Sequence, residues 1–249
     1  MKYYKRKLLS FHEFIFKGLY RKIYNELLVT SRRENLLRFG RDQDGGYVVD
    51  VSNEYNNLLS FGIADDISFE TDFVNHYPNC SVVCYDPSIE KLPGPLKNSK
   101  FFKIGLAKKT QKNYFSLNDI IISQNIDPHS SNFIKMDIEG CEWEVIEHNL
   151  NDLITFDNFV LEFHFYERPP NQIFLFPFTL YKRLKLLRKL KMHFDIYNVH
   201  FNNAPRIIKF SNFLFPECVE ISFINKRNPK LKLLNKTNDS NKEDYQSYL

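Results

Sequence analysis

The chain is poor in cysteine, and the little it has forms no pattern. Cys80, Cys84, Cys141 and Cys218 make no CxxC pair and no regular framework, which excludes a disulfide-stapled miniprotein. They read as reduced, mostly buried thiols of a cytosolic protein. No uninterrupted apolar run approaches about 18 residues, so no transmembrane helix is expected. Charge of one sign is also scarce. Across 249 residues, 34 Lys and Arg face 30 Asp and Glu, for a net charge of +4. A nucleic-acid binder would instead concentrate basic residues on one face. There is no G-x-G-x-x-G, no Asn/Asp-Pro-Pro-Tyr/Phe stretch of the type that handles flipped bases, and no internal repeat. The N-terminal MKYYKRKLLSFHEFIFKGLY begins with positive charge, but His12, Glu13 and Lys17 interrupt the apolar stretch that a signal peptide needs.

What is present suits a globular domain with a sizeable core: 43% hydrophobic, 26% charged and 16% aromatic residues. Residues 1–36 form a basic segment in which Leu8, Leu9, Phe11, Ile15, Phe16, Leu19, Ile23, Leu27 and Leu28 recur at helical spacing. Such a helix either packs on the domain that follows or lies on an anionic membrane surface. From residue 37 to 224, strand-like and helix-like segments alternate. Strands are expected at Tyr47–Val49, Leu58–Phe61, Ser81–Tyr85, Phe101–Ile104, Asn132–Met136 and Asn158–Phe165. Helices are expected from Asp66 to His76, Leu117 to Ser123, Cys141 to His148 and Phe178 to Met192. This order implies right-handed crossovers and a mostly parallel, doubly wound sheet. Asp195–Phe201 and Val219–Ile224, with little room for a helix between them, suggest a closing antiparallel pair. Residues 225–249 read as a polar, loose tail.

Ligands of open α/β sheets bind at the carboxyl ends of strands, so the residues just after each strand matter most. Gly62-Ile63-Ala64-Asp65-Asp66 follows the second of these strands, and a helix starts at once. Small residues at 62 and 64 admit close backbone approach. Asp65 and Asp66 stand where a helix N-terminus would receive a pyrophosphate, and their charge favours an ammonium or sulfonium instead. One of them also serves as an ordinary helix cap. Asp86 ends the next strand 24 positions beyond Gly62, the place where a ribose diol is held, although Asp-Pro also opens common turns. Together these residues describe an adenosine site without phosphates.

The most specific stretch is NFIKMDIEGCEWEVI, in which a buried strand ends in Asp137 and Glu139 and Gly140 turns into a helix. Two carboxylates at one strand mouth repel each other unless they bind something. In VLEFHF, Glu162 and His164 alternate onto one face of an otherwise apolar strand. His164 alone reads equally as a core histidine, but Asp137, Glu139, Glu162 and His164 at adjacent strand ends point to a catalytic or metal-binding cluster. His200 and Asn203 end a late strand as substrate contacts or as a plain exit into a loop. Asp44-Gly45-Gly46-Tyr47 is a tight turn with either a structural or a cofactor role.

With LLSFGIADDISFE, VVCYDPS, SLNDII and FIKMDIEGCEWEVIEH in place, and RFGRDQDGGYVV upstream, the chain resembles FkbM-type S-adenosylmethionine-dependent methyltransferases from about residue 37 to 224. Its cofactor loop departs from the several glycines common in that family. The resemblance implies a class I, Rossmann-like fold with seven strands and an antiparallel last hairpin. It also implies O-methylation of a small-molecule hydroxyl, on a sugar or nucleotide-activated sugar for a surface polysaccharide or secondary metabolite. Gly62, Ala64, Asp65, Asp66, Asp86 and Asn118 are then the expected cofactor contacts. His164 is the expected base, with Asp137 orienting it or the substrate and Glu139 beside them. A competing expectation is that Asp137, Glu162 and His164 hold Mg or Mn. An oxidoreductase of the same fold class and a non-catalytic, membrane-peripheral module are the alternatives.

Overall fold

The computed structural model describes residues 16–42, 45–165, 176–202, 207–210 and 213–227. Asp44 and Asn203, the first fifteen residues and nearly all of the expected tail therefore lie outside the described residues.

Helix α1 (16–26) is followed by the antiparallel hairpin β1 (Leu36–Phe39) and β2 (Tyr47–Asp50). The βα repeats then begin with β3 (Asn57–Phe61), α2 (Ser68–His76), β4 (Ser81–Tyr85) and β5 (Ser99–Phe102). Two-residue strands β6 (Gly105–Leu106) and β7 (Tyr114–Phe115) lead into α3 (Leu117–Ser123), β8 (Asn132–Met136), α4 (Glu142–Leu153) and β9 (Asn158–His164). The chain closes with α5 (Phe176–His193), β10 (Phe194–Phe201), the small pair β11 (Ile207–Phe210) and β12 (Phe213–Pro216), and β13 (Cys218–Asn225). Seven strands form one sheet in the order β10-β13-β9-β8-β3-β4-β5. Only β13 runs against its neighbours, antiparallel to both β9 and β10, as the closing pair read from sequence requires.

The central strands are apolar on both faces, which is the pattern of a sheet covered on both sides. Alternation sorts their side chains into two cores. Leu59, Phe61, Val83, Tyr85, Ile134, Met136, Phe159 and Leu161 face a core completed by α1, α3, α4 and α5. Leu58, Val82, Cys84, Phe133 and Val160 face the opposite core, completed by α2 and the β1–β2 hairpin. This second face changes character along its length. At the amino ends of the strands it is aromatic, with Phe73 packed edge-on or tilted against Phe39, Tyr55, Phe69, Tyr77 and Phe133. Toward the carboxyl ends, Ser60, Lys135 and Glu162 continue the same alternation, and the face becomes polar.

The described part of the N-terminal segment packs on the domain. Tyr20, Ile23 and Leu27 are fully buried, and Glu26 pairs with Arg188 and Lys191 of α5 at 2.8 and 3.1 Å. Thr30 and Ser31 donate their backbone N–H groups to the carbonyl of Ile196. All four cysteines are free; three are buried and Cys141 is exposed. Among the described residues no helix is long and apolar enough to cross a membrane.

Because Phe73 fills the centre of the aromatic layer with five ring neighbours, Phe73→Ala should cost about 3–5 kcal/mol of stability. A urea titration reads this as a lower midpoint at unchanged slope. A loss below about 1 kcal/mol would show that this layer is not a packed core.

Candidate active site

A cavity of about 530 Å³ opens at the carboxyl ends of β3, β4 and β8. One wall is Gly62-Ile63-Ala64-Asp65-Asp66, and its shape is dictated by backbone geometry. Gly62 has φ +79°, and a Cβ there would sit 1.6 Å from the Asp137 carbonyl oxygen, so the β3 and β8 exits can meet this closely only at glycine. Lys135 reaches from β8 to donate its ammonium to the Gly62 carbonyl. Its Nζ also lies 3.9 Å from Glu70, whose other contact is the Ser60 hydroxyl.

Asp86 organises the same loop. Its Oδ2 accepts from the N–H groups of Ile63 and Ala64, both at 2.8 Å, and its Oδ1 accepts from the N–H and hydroxyl of Ser88. Burial works to raise its pKa, but the hydrogen bonds from Ala64, Ser88 and Ile63 outweigh it and hold the carboxyl below its ordinary value. Asp86, the ribose aspartate expected from sequence, thus shapes the loop in this structure. Asp66 accepts from the N–H and hydroxyl of Ser68, both at 2.9 Å, so it is the aspartate that steadies the start of α2, and it pairs with Arg41 at 3.0 Å. Asp65 is exposed at the rim. At the far end, Tyr85, Leu106, Pro87 and Tyr114 form an apolar slot. The Tyr114 ring lies where a Gly105 Cβ would stand, 2.4 Å from its Cε1. Asn118 is exposed on α3 and does not line the cavity, so the structure does not bring it to the other expected cofactor contacts.

Next to Asp137, outside the residues that line the cavity, lies the rest of the polar half of the second face. Register sets the row: Glu162 on β9 pairs with Glu220 on β13, and Glu220 pairs with His200 on β10. The hairpin covers the row. Tyr47 donates its hydroxyl to Asp137 Oδ2 at 3.1 Å, and Arg38 lies 3.7 Å from Glu220. Burial first, and the Asp137 charge second, push the Tyr47 hydroxyl well above its ordinary pKa, so it remains a donor. Asp137 Oδ1 is buried and has no hydrogen-bond partner, and the same is true of Glu70 Oε2. A buried acceptor left unpaired costs about 1–3 kcal/mol, and both residues line the cavity.

His164 stands at the end of β9 with its Nδ1 3.2 Å from Glu142 Oε1 and its Nε2 3.5 Å from both Glu139 and Glu162. Burial tends to lower its pKa, but hydrogen bonds with Cys218 and Glu142 outweigh that and raise it to about 12. His164, the base expected from sequence, is thus held among Glu139, Glu142 and Glu162. Glu162 is raised to about 8 by burial and then by the Asp137 charge. His200 Nδ1 lies 3.0 Å from Glu220 Oε2, and burial followed by the Arg38 charge lowers its pKa.

The family model of the methyltransferase FkbM domain matches residues 35–196, more than half of the chain. The chain belongs to the FkbM methyltransferase family. No curated protein matches it. Among solved structures, the fibrillarin/Nop5p complex is 11% identical with a TM-score of 0.39, covering 68% of this chain and 72% of that one. M. jannaschii TYW2 in complex with AdoMet is 11% identical with a TM-score of 0.31, covering 80% and 90%. Likeness at this level carries no argument about ligand or substrate.

This FkbM methyltransferase has a cavity that suits S-adenosylmethionine. Among the described residues, Asp65, Asp66, Glu70, Asp86, Asp137 and Glu139 line it against Arg41 and Lys135 as cations. The balance favours an ammonium and a sulfonium and disfavours a pyrophosphate. Several participants were not singled out from sequence. Glu142 lies in the DIEGCE motif without an assigned role, and Lys135, two residues before Asp137, shares its face. Tyr47, Glu70, Glu220 and Cys218 reach the site only through tertiary packing or strand register.

If Asp86 holds the loop through charge-assisted bonds, Asp86→Asn should speed amide hydrogen exchange at Ile63 and Ala64 by about 10- to 100-fold. The folded-state pKa of Asp86 is depressed, so its contribution is complete above the unfolded value near 3.8 and is lost as pH falls through the lower folded value. Unchanged exchange at both amides would contradict the loop-shaping role.

Proposed function

We propose that this methyltransferase transfers a methyl group to a hydroxyl of a small, neutral, polyhydroxylated acceptor such as a sugar. The supporting observation is Asp137 Oδ1, a buried acceptor without a partner that lines the cavity at the mouth of a central strand. Tyr47 fixes the other oxygen of that carboxylate, so Oδ1 is aimed and held. A hydroxyl is the donor it lacks.

The cofactor supplies a methyl group already activated on a sulfonium. The protein has to orient the acceptor oxygen in line with that methyl and relieve the positive charge that develops on it. Orientation contributes several kcal/mol when the reacting atoms are held in an attack geometry. Asp137 accepts the hydroxyl proton as the new C–O bond forms. Lys135 and Gly62 keep the loop that flanks the methyl donor in place, and Asp86 keeps its backbone N–H groups aligned. Glu162, Glu220, His200 and Asn202 extend the acceptor side with further hydrogen-bonding groups, as a ligand with several hydroxyls requires. Glu162 already accepts from Asn202 Nδ2 at 3.3 Å. A nucleotide-activated sugar would have to keep its phosphates outside this acidic row.

The test is single-turnover transfer of labelled methyl to a panel of neutral glycosides. Asp137→Asn, which keeps the shape and removes the charge, should slow transfer about 10²- to 10³-fold while S-adenosylhomocysteine binding stays within about threefold. Transfer at the wild-type rate would remove Asp137 from the chemistry. Methylation of amines or nucleobases in place of hydroxyls would contradict the acceptor class.

A further inference from the structure

Alignment of a hydroxyl does not by itself explain the cluster around His164, where an imidazole, a thiol and several carboxylates converge. We infer that Glu162, His164 and Cys218 form a binding site for a divalent first-row transition metal of the zinc or cobalt type. The backbone builds this set. Glu162 and His164 alternate onto one face of β9, and β13 places Cys218 directly opposite His164 in register. One donor atom from each lies within 4.8 Å of the others. Glu162 and Cys218 are only 6% and 8% exposed, so the donors are held on rigid strands away from bulk water.

The surroundings of the imidazole have the arrangement found around metal-bound histidines. Nδ1 faces Glu142, whose side chain is fully buried, at 3.2 Å. A carboxylate behind one ring nitrogen fixes the tautomer and turns the other nitrogen toward an ion. Glu142 Oε2 is buried without a hydrogen-bond partner, which leaves negative charge behind the ring that a cation in front of it would balance. In front, Nε2 stands 3.5 Å from the nearest oxygen of Glu162. That is long for a hydrogen bond. It matches the spacing of about 3.4 Å between two ligands of a tetrahedral ion with bonds near 2.1 Å.

Asp137, Glu139 and His164 make a second triplet within the same distance. It is the weaker set. The Glu139 side chain is 89% exposed, and Asp137 is already tied to Tyr47 and to the cofactor cavity. Thiolate with imidazole selects zinc-like ions over magnesium, so the assignment replaces the Mg or Mn set expected from sequence, in which Asp137 stood where Cys218 does. Three protein ligands leave a fourth position open, as in catalytic sites. An acceptor hydroxyl at that position would be acidified and would pass its proton to Asp137. That role rests on the O-methyl transfer reading, whereas metal binding itself does not.

The experiment is titration of the chelator-stripped full chain with Co²⁺, followed by absorption spectroscopy, with S-adenosylhomocysteine binding measured on the same samples. One equivalent should bind and give a thiolate-to-cobalt charge-transfer band. Cys218→Ser should lose that band, and both Cys218→Ser and His164→Gln should bind Co²⁺ at least about tenfold more weakly, with circular dichroism unchanged. No bound equivalent, or a wild-type titration with Cys218→Ser, would overturn the site. Binding that survives in Cys218→Ser but is lost in Asp137→Asn would overturn it in favour of the other triplet. Cobalt binding with the thiolate band but without homocysteine-ligand binding would support the metal site while defeating the transfer reading.

Discussion

The strict alternation of side chains along β8 and β9 is the constraint on which the rest depends. Because successive residues face opposite sides, Ile134, Met136, Phe159, Leu161 and Phe163 complete the core under α4 and α5, and Lys135, Glu162 and His164 follow Phe133 and Val160 on the other face. Lys135, Asp137, Glu162 and His164 are therefore neighbours without any irregular backbone to bring them together. A shift of one residue in the register of either strand would bury these charges in the apolar core and empty the site. The FkbM methyltransferase fold in this chain is thus inseparable from its site. The segment that makes the sheet cohere is the segment that carries the chemistry.

Concentrating carboxylates at one end of a sheet is electrostatically unfavourable, and the structure shows how the repulsion is relieved. Asp86 is satisfied by backbone N–H groups, Asp66 by Arg41 and Ser68, and Glu70 by Ser60 with Lys135 nearby. Glu220 has Arg38 and His200 within reach. Around the cavity and the His164 ring, Asp137, Glu70 and Glu142 each keep one buried carboxylate oxygen without a hydrogen-bond partner. Residual negative charge of this sort favours cationic ligands, and it explains why the cofactor loop can dispense with a glycine-rich phosphate cradle.

Much of this organisation was legible in the sequence because it is local. The apolar runs that form the five- to seven-residue strands β3, β4, β8 and β9 mark the parallel core. The antiparallel closure by β13 followed from the lack of room for a helix. What was not legible depends on distant pairings. β1 is only Leu-Leu-Arg-Phe, too short and too mixed to stand out, and β6 and β7 are two residues each. Cys218 looked like one more buried thiol because its partner across the sheet, His164, lies 54 positions earlier in the chain. Asn118 illustrates the converse: its motif is distinctive, yet the turn of α3 exposes it and directs Leu117 and Ile120 inward instead. Asp86 was placed correctly at the strand end, but its role in shaping the loop required the three-dimensional course of Gly62–Ala64.

An acidic, glycine-poor loop at the head of the sheet should select a cationic adenosine cofactor over a dinucleotide. Calorimetric titration of the full chain with S-adenosylhomocysteine and with NADH, side by side under one buffer, is the decisive comparison. S-adenosylhomocysteine should bind in the micromolar range and NADH should give no heat. Saturable NADH binding, with no response to S-adenosylhomocysteine, would contradict it.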